Sequence, residues 1–163
     1  MEVENMRLTK YNIVFNEGRE VSLVKEKAVN LAGYDRLSNP QQIVDALNFV
    51  FQASCQVEEY VWLVALNTKG KPIGLFEVSH GSADASFVTP REIFVRLCLC
   101  GANSFVIAHN HPSGDTSPSV EDTRVTKRIL EASKLMGIRL LDHIIIGEKT
   151  ENFFSYKEHD LLD

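Results

Sequence analysis

Two histidines and a nearby aspartate are the residues of this chain whose types and spacing best fit metal chemistry. His109 and His111 end the apolar stretch "SFVIAHNH", a pattern that predicts a buried strand. Side chains two positions apart on a strand share one face of the sheet. Both imidazoles can therefore reach a single ion beyond the end of this strand.

A helix that follows the histidines supplies a carboxylate. The stretch "SPSVEDTRVTKRILEASKLMG" predicts a helix that begins at Ser117-Pro118 and ends at Gly137. Its apolar stripe has helical spacing and consists of Val125, Ile129, Ala132 and Met136. Asp122 and Ser119 precede that stripe by steps of three and so share its inward face. An inward carboxylate is costly unless a cation or hydrogen-bond donors compensate for the lost hydration.

Two imidazoles and one carboxylate form the ligand set of a zinc hydrolase, in which a fourth position is open to water. Zinc lowers the pKa of bound water to roughly 7, so hydroxide is available at neutral pH. Turn chemistry alone would explain residues 112–117, but neither the two histidines on one face nor the inward Asp122. A mononuclear iron oxygenase centre uses the same ligand types and stays open as an alternative. We predict one zinc ion per chain.

The elements around these residues predict one α/β domain in which helices flank a mixed β-sheet. Two helices have clear starts, at Asn39-Pro40 and at Thr89-Pro90, where Glu92 completes a capping box. The apolar face of the first helix comprises Ile43, Ala46, Leu47, Val50 and Phe51. "YVWLVAL" predicts a central strand that pairs with "IGLFEV", and "IRLLDHIIIG" predicts another buried strand.

The two ends of the chain are less regular. The alternation in residues 11–24 predicts a hairpin, whereas residues 25–38 have no clear pattern. The tail "ENFFSYKEHDLLD" predicts a further strand and a short helix.

The amino-acid sequence around the histidines resembles that of a known family. His109-Asn-His111-Pro followed by Ser119-x-x-Asp122 is similar to the JAMM motif of the JAB/MPN-plus metalloproteases. "PREI" before the motif and "LLDHIIIG" after it resemble the RadC branch, over roughly residues 40 to 157. The resemblance implies a cytidine-deaminase-like fold, with zinc held by His109, His111 and Asp122. It also implies that Ser119 hydrogen-bonds near the water and the oxyanion.

Such a site needs a general base, which in this family is a glutamate upstream of the histidines. The candidates are Glu58, Glu59, Glu77 and Glu92. Glu59 opens the central strand and best matches the family position, so we predict that it is the base, with Glu92 as second choice. Glu92 has a structural explanation in its capping box, and Glu77 in a solvated strand face.

Several other residues have ordinary structural explanations. His143 in "LLDHIIIG" is predicted to be a hydrogen-bonded core residue, and support of the metal ligands is its functional alternative. Trp62, Cys98 and Cys100 are predicted to lie in the core. Three cysteines without a Cys-x-x-Cys pair argue against disulfides and a cysteine zinc site.

Composition narrows the class of protein. The chain has 163 residues, 44% of them hydrophobic, 24% charged and a net charge of −5, which together indicate a globular domain. It lacks an apolar run of about 18 residues and a signal-peptide pattern, so we expect a cytoplasmic protein with no membrane contact.

The resemblance implies two units, an N-terminal hairpin extension over 1–39 and the RadC-like JAB/MPN domain over 40–163. Longer RadC proteins carry a helix-hairpin-helix region before this domain, and the first 40 residues show no such pattern. We expect a zinc-dependent hydrolase acting on a protein or peptide. The alternative is a DNA-repair-associated or mobile-element module whose metal is structural or acts on another substrate, although the negative charge does not favour DNA binding. The 79–88 loop and the hairpin could shape a groove or a homodimer contact.

Overall fold

The computed structural model describes residues 5–81 and 88–162, and these form one mixed seven-stranded sheet with helices on both faces. The strands are β1 Asn5–Phe15, β2 Val21–Ala32, β3 Tyr60–Leu66, β4 Pro72–His80, β5 Ser104–Asn110, β6 Arg139–Ile146 and β7 Phe153–Ser155. The helices are α1 Pro40–Phe51, α2 Pro90–Cys100 and α3 Val120–Met136, with a short 3-10 turn at Ala53–Cys55. The strand order β2-β1-β4-β3-β5-β6-β7 places β3 and β5 at the centre, which confirms the predicted fold class.

The central strands are apolar on both sides because each side of the sheet is covered. On β3, Trp62 and Val64 pack with α1, whereas Leu63 and Ala65 pack with α2 and α3 on the opposite face. All four side chains are fully buried, and Trp62 is therefore a core residue, as predicted. The metal-site candidates belong to the face that α2 and α3 cover.

The first two helices begin directly after the capping residues that the sequence predicted. Asn39 accepts a hydrogen bond from the Gln42 backbone N–H at 3.0 Å, and Thr89 and Glu92 form the predicted capping box of α2. The predicted start of α3 at Ser117-Pro118 is wrong by about two residues. Ser119 is the N-cap of α3, because its side chain and that of Asp122 reciprocally bond the free backbone N–H groups of the first turn.

Two predictions of buried side chains are also wrong. Cys98 is exposed and Cys100 half-buried, because α2 turns Ile93 and Leu97 inward and residue 98 lies off that face. Met136 is 46% exposed at the last turn of α3. The inward face of α3 includes polar Thr126 instead, and this residue becomes important at the site.

The N-terminal hairpin is longer than the sequence pattern predicted. Its strands β1 and β2 pair antiparallel from Asn5 to Phe15 and from Val21 to Ala32, so most of the unclear 25–38 segment is strand. β1 joins the main sheet parallel to β4. In the tail, the predicted strand is present as β7, but the predicted short helix is not, because residues 156–160 form turns.

The topology gathers the candidate residues at one edge of the sheet. β5 runs antiparallel to β3 and parallel to β6, so the end of β5 lies beside the start of β3. The connection from β5 to α3 brings the first turn of α3 back over that edge. Within the described ranges, no helix is both long and apolar enough to span a membrane.

Candidate metal centre

Three side chains converge at this edge as the sequence pattern predicted. His109 Nε2 lies 3.1 Å from His111 Nε2 and 3.2 Å from Asp122 Oδ1, and His111 Nε2 lies 3.5 Å from Asp122 Oδ2. Donor atoms that surround a zinc ion tetrahedrally at about 2.0–2.1 Å lie about 3.3 Å from one another. The three side chains are therefore spaced to hold one metal ion.

The first turn of α3 fixes the carboxylate of Asp122. Its Oδ2 atom accepts hydrogen bonds from the backbone N–H and the hydroxyl of Ser119, both at 2.7 Å. The residue is 3% exposed. Burial opposes its ionisation, but the contacts with the imidazoles of His109 and His111 and the hydrogen bonds from Ser119 outweigh burial and hold the pKa of Asp122 far below its ordinary value. Asp122 is thus a carboxylate at any physiological pH.

His111 is oriented by the loop that precedes α3. Its Nδ1 atom lies 2.6 Å from the backbone oxygen of Asp115. A carbonyl oxygen can only accept, so Nδ1 carries the hydrogen and Nε2 of the neutral ring has a free lone pair. The turn depends on Gly114, whose φ of +81° suits glycine. The neighbouring Asp122 carboxylate raises the pKa of His111, because it favours the charged form of the ring.

His109 is oriented by His143, which contacts the ring nitrogen that faces away from the metal position. Its Nδ1 atom lies 2.9 Å from His143 Nε2, and His143 Nδ1 lies 2.6 Å from the hydroxyl of Thr126. Burial lowers the pKa of His143 well below its ordinary value, so this ring is neutral. Both views of His143 from the sequence therefore describe it: it is a hydrogen-bonded core residue, and its partner is a candidate ligand.

Glu59 is the candidate base that the structure brings to the site. It lines the same pocket as His109 and Asp122, at the start of β3. The other walls of that pocket are mainly apolar and comprise Val61, Val88, Ile107 and Val125, together with His143. Burial raises the pKa of Glu59, although His109 and His111 act in the opposite direction. A carboxylate with a raised pKa in a largely apolar pocket is suited to proton transfer.

The three other glutamates lie away from this pocket. Glu92 is occupied by the capping box, where it accepts from the backbone N–H of Thr89 at 3.0 Å. Glu77 lies 3.0 Å from the ring of His80, and Glu58 is exposed. The general-base role of Glu59 stays a prediction, but of the four candidates only Glu59 lines this pocket in the described part of the chain.

Asn110 is a site residue that the sequence reasoning missed. Its side-chain oxygen accepts from the Tyr60 backbone N–H at 2.7 Å, and its amide donates to the carbonyl oxygens of Glu58 at 2.9 Å and Gln56 at 3.4 Å. These bonds tie the segment that carries Glu59 to the strand that carries both histidines. The available signal was a polar residue between two histidines whose side chain must face the other side of the strand.

Ser119 is close to the site, but its bonds are with the candidate ligand. Its hydroxyl donates to Asp122 Oδ2 and accepts from the Asp122 backbone N–H at 3.0 Å. The structure therefore shows Ser119 positioning the carboxylate. Its implied contact with a water or an oxyanion stays a prediction.

Comparison with known proteins agrees with this geometry. A family model described as the RadC-like JAB domain matches residues 37–161. The chain belongs to the RadC-like JAB family. Among its relatives, the UPF0758 protein of Alkaliphilus metalliredigens (strain QYMF) is 39% identical over 145 residues, which cover 89% of this chain and 59% of the relative. The UPF0758 protein of Clostridium tetani (strain Massachusetts / E88) is 50% identical over 105 residues, 64% of this chain and 45% of that protein.

The family match confirms the resemblance to the RadC branch that the sequence around the histidines indicated. This RadC-like chain spans about half the length of the curated relatives it matches. Their printed names state no reaction.

Proposed function

We propose that this RadC-like JAB protein is a zinc-dependent hydrolase that cleaves a peptide or isopeptide bond. The observation that carries the proposal is the cluster of His109, His111 and Asp122, two of which, His109 and Asp122, line a pocket together with Glu59. Closed structural zinc sites normally have four protein ligands. In the described parts of this chain the cluster has three, which favours a site with a position open for chemistry.

The donor set fits zinc, because two imidazoles and one carboxylate with a position left for water form the ligand set of zinc hydrolases. An iron oxygenase centre has the same ligand types, and metal analysis of the purified protein distinguishes the two. His109, His111 and Asp122 would hold the zinc, which when bound polarises a carbonyl and makes hydroxide available at neutral pH.

Other residues would transfer the proton, exclude water and position the Asp122 carboxylate. Glu59 accepts the proton of the attacking water and then donates it to the leaving amine, for which its raised pKa is suited. The apolar side chains of Val61, Val88, Ile107 and Val125 limit the access of other water molecules. Ser119 keeps the Asp122 carboxylate in place during these steps.

The alternative, a DNA-associated module with a structural metal, has less support. No observation on the described residues favours a fourth protein ligand, and a chain with a net charge of −5 is poorly suited to attract phosphates. Peptide hydrolysis therefore remains the proposal to test.

The test uses the zinc-loaded protein with mixed unfolded proteins and isopeptide-linked peptides in ¹⁸O-labelled water. Mass spectrometry then detects new termini and incorporated ¹⁸O. We expect cleavage by the wild type, and a loss of about 100-fold or more in Glu59→Gln with its zinc retained. Glu58→Gln is the matched control, because this exposed neighbour should leave the rate unchanged.

Two results would contradict the proposal. If zinc-loaded wild type cleaves no substrate and incorporates no ¹⁸O, the peptidase function is wrong. If Glu59→Gln cleaves as fast as the wild type, Glu59 is not the base.

A further inference from the structure

We propose that Thr126 and His143 are positioning residues that fix His109 in the tautomer whose Nε2 lone pair faces the metal position. This inference rests on the proposed metal site and adds the residues that preset one of its ligands. It follows from a chain of short hydrogen bonds that leads from the backbone of α3 to the ring of His109.

The direction of these hydrogen bonds is set by the backbone oxygen of Asp122, which can only accept. The Thr126 hydroxyl lies 2.6 Å from the backbone oxygen of Asp122 and 2.6 Å from His143 Nδ1. A carbonyl oxygen has no hydrogen to give, so the hydroxyl must donate its one hydrogen to Asp122. The hydroxyl oxygen then accepts from His143, which places the hydrogen of His143 on Nδ1.

The position of the hydrogen on His143 in turn fixes the position of the hydrogen on His109. His143 is buried and, among the described residues, its ring nitrogens hydrogen-bond only to Thr126 and His109, so no carboxylate balances a second hydrogen on the ring. With its hydrogen on Nδ1, the neutral ring has a lone pair on Nε2, which can only accept. The bond of 2.9 Å to His109 therefore places the hydrogen of His109 on Nδ1. His109 Nε2 is left with its lone pair directed at His111 and Asp122, as a metal ligand requires.

The reverse arrangement would leave one contact without a hydrogen. If Thr126 donated to His143, two oxygen atoms would face each other at 2.6 Å with no hydrogen between them. No bulk water is at hand to exchange these bonds, because Thr126 is 1% exposed and His143 is 3% exposed. Tyr156 stacks on the ring of His143 at 4.9 Å and an angle of 8°, which holds the ring plane.

The two histidines are thus preset by separate groups. Asp115 directs the lone pair of His111, and Thr126 with His143 directs that of His109. Two lone pairs 3.1 Å apart repel each other unless a cation lies between them. One turn of α3 therefore supplies a ligand, Asp122, and also the residue that sets the tautomer of another ligand.

The first experiment reads the tautomer without metal or substrate. ¹⁵N-labelled, metal-free protein is studied by long-range ¹H–¹⁵N NMR at about pH 8, above the ordinary imidazole pKa. We expect His109 and His143 to carry their hydrogens on Nδ1. A hydrogen on Nε2 of His109 in the wild type would overturn the inference.

The second experiment measures zinc affinity in matched variants by competition with a chromophoric chelator. Thr126→Val keeps the shape of the side chain and removes the hydroxyl, so we expect a 10- to 100-fold weaker affinity, about the usual effect of losing such support. Ser133→Ala is the control: the buried Ser133 hydroxyl also donates to a backbone carbonyl of α3, that of Leu130 at 2.8 Å, but it lies about two turns beyond Thr126.

A pair of substitutions at His143 separates hydrogen bonding from packing. His143→Gln can still accept from His109 Nδ1 through its amide oxygen and should keep affinity near the wild-type value, whereas His143→Leu should lose it. Equal affinity of Thr126→Val and wild type, or equal loss in both His143 variants, would overturn the inference. A wild type that binds no zinc would contradict the proposed function, while the tautomers in the metal-free protein would still test this inference.

Discussion

Replacing Asn110 by alanine tests the idea that one side chain ties the candidate base to the metal strand. The change removes bonds to the backbone of Tyr60, Glu58 and Gln56, two of them at 2.7 and 2.9 Å and one at 3.4 Å. A typical hydrogen bond contributes about 0.5–1.5 kcal/mol, so the two short bonds and the weaker third give a loss of about 2–3 kcal/mol. Asn110 is 2% exposed, so water cannot easily replace them.

Urea unfolding followed by circular dichroism measures this loss. With a slope of about 2 kcal/mol per molar urea, the midpoint should fall by about 1–1.5 M. Asn12→Ala is the matched control, because Asn12 is exposed and bonds only the side chain of Glu26, so its loss should be below about 0.5 kcal/mol. Zinc content should be retained in Asn110→Ala, because the Asn110 side chain faces away from both imidazoles.

A change of less than about 0.5 kcal/mol in Asn110→Ala would refute this reasoning, since surface substitutions produce effects of that size. Loss of zinc at wild-type stability would also refute it, because the side chain would then act on the ligands and not on the segment that carries Glu59.

Three further predictions concern the residues around the metal position. Glu59 must be unprotonated to act as a base, and burial raises its pKa. The rate should therefore fall as the pH drops through a value above the ordinary carboxyl pKa. This fall at acidic pH should be missing from the residual rate of Glu59→Gln, and a fall that persists would point to another group. Ser119→Ala removes the cap of α3 and should lower the free energy of unfolding by about 1 kcal/mol and weaken zinc binding; unchanged values for both would show that the cap does not hold Asp122. Gly114→Ala places a Cβ at a φ of +81° and 2.6 Å from Glu148 Oε2, so we expect a loss of about 1–2 kcal/mol in urea unfolding, and wild-type stability would contradict it.

The convergence of His109, His111 and Asp122 was predictable because it depends on local periodicity. Two residues apart on a strand and three apart on a helix are spacings that fix a shared face before any tertiary structure is known. The capping residues Asn39 and Thr89 likewise act within a few positions of themselves, and the structure confirms both helix starts.

The support around the ligands was not predictable in this way, because it joins residues that are distant in sequence. Thr126 contacts His143 across 17 positions, and Asn110 contacts Tyr60 across 50. The errors at Cys98 and Met136 have a related cause: an apolar residue on a partly covered helix can lie off the buried face, and only the packing of neighbours decides which face is covered. The predicted 79–88 loop falls mainly on residues 82–87, which lie outside the described residues.

The most direct test of the central claim is the zinc content of the purified protein after zinc loading and gel filtration, measured by mass spectrometry of the metal. We predict about one zinc per chain in the wild type and in Glu121→Ala, whose side chain pairs with Arg124 at the surface. We predict almost none in Asp122→Ala, with its fold retained by circular dichroism. Full occupancy in Asp122→Ala, or no zinc in the wild type, would contradict the account.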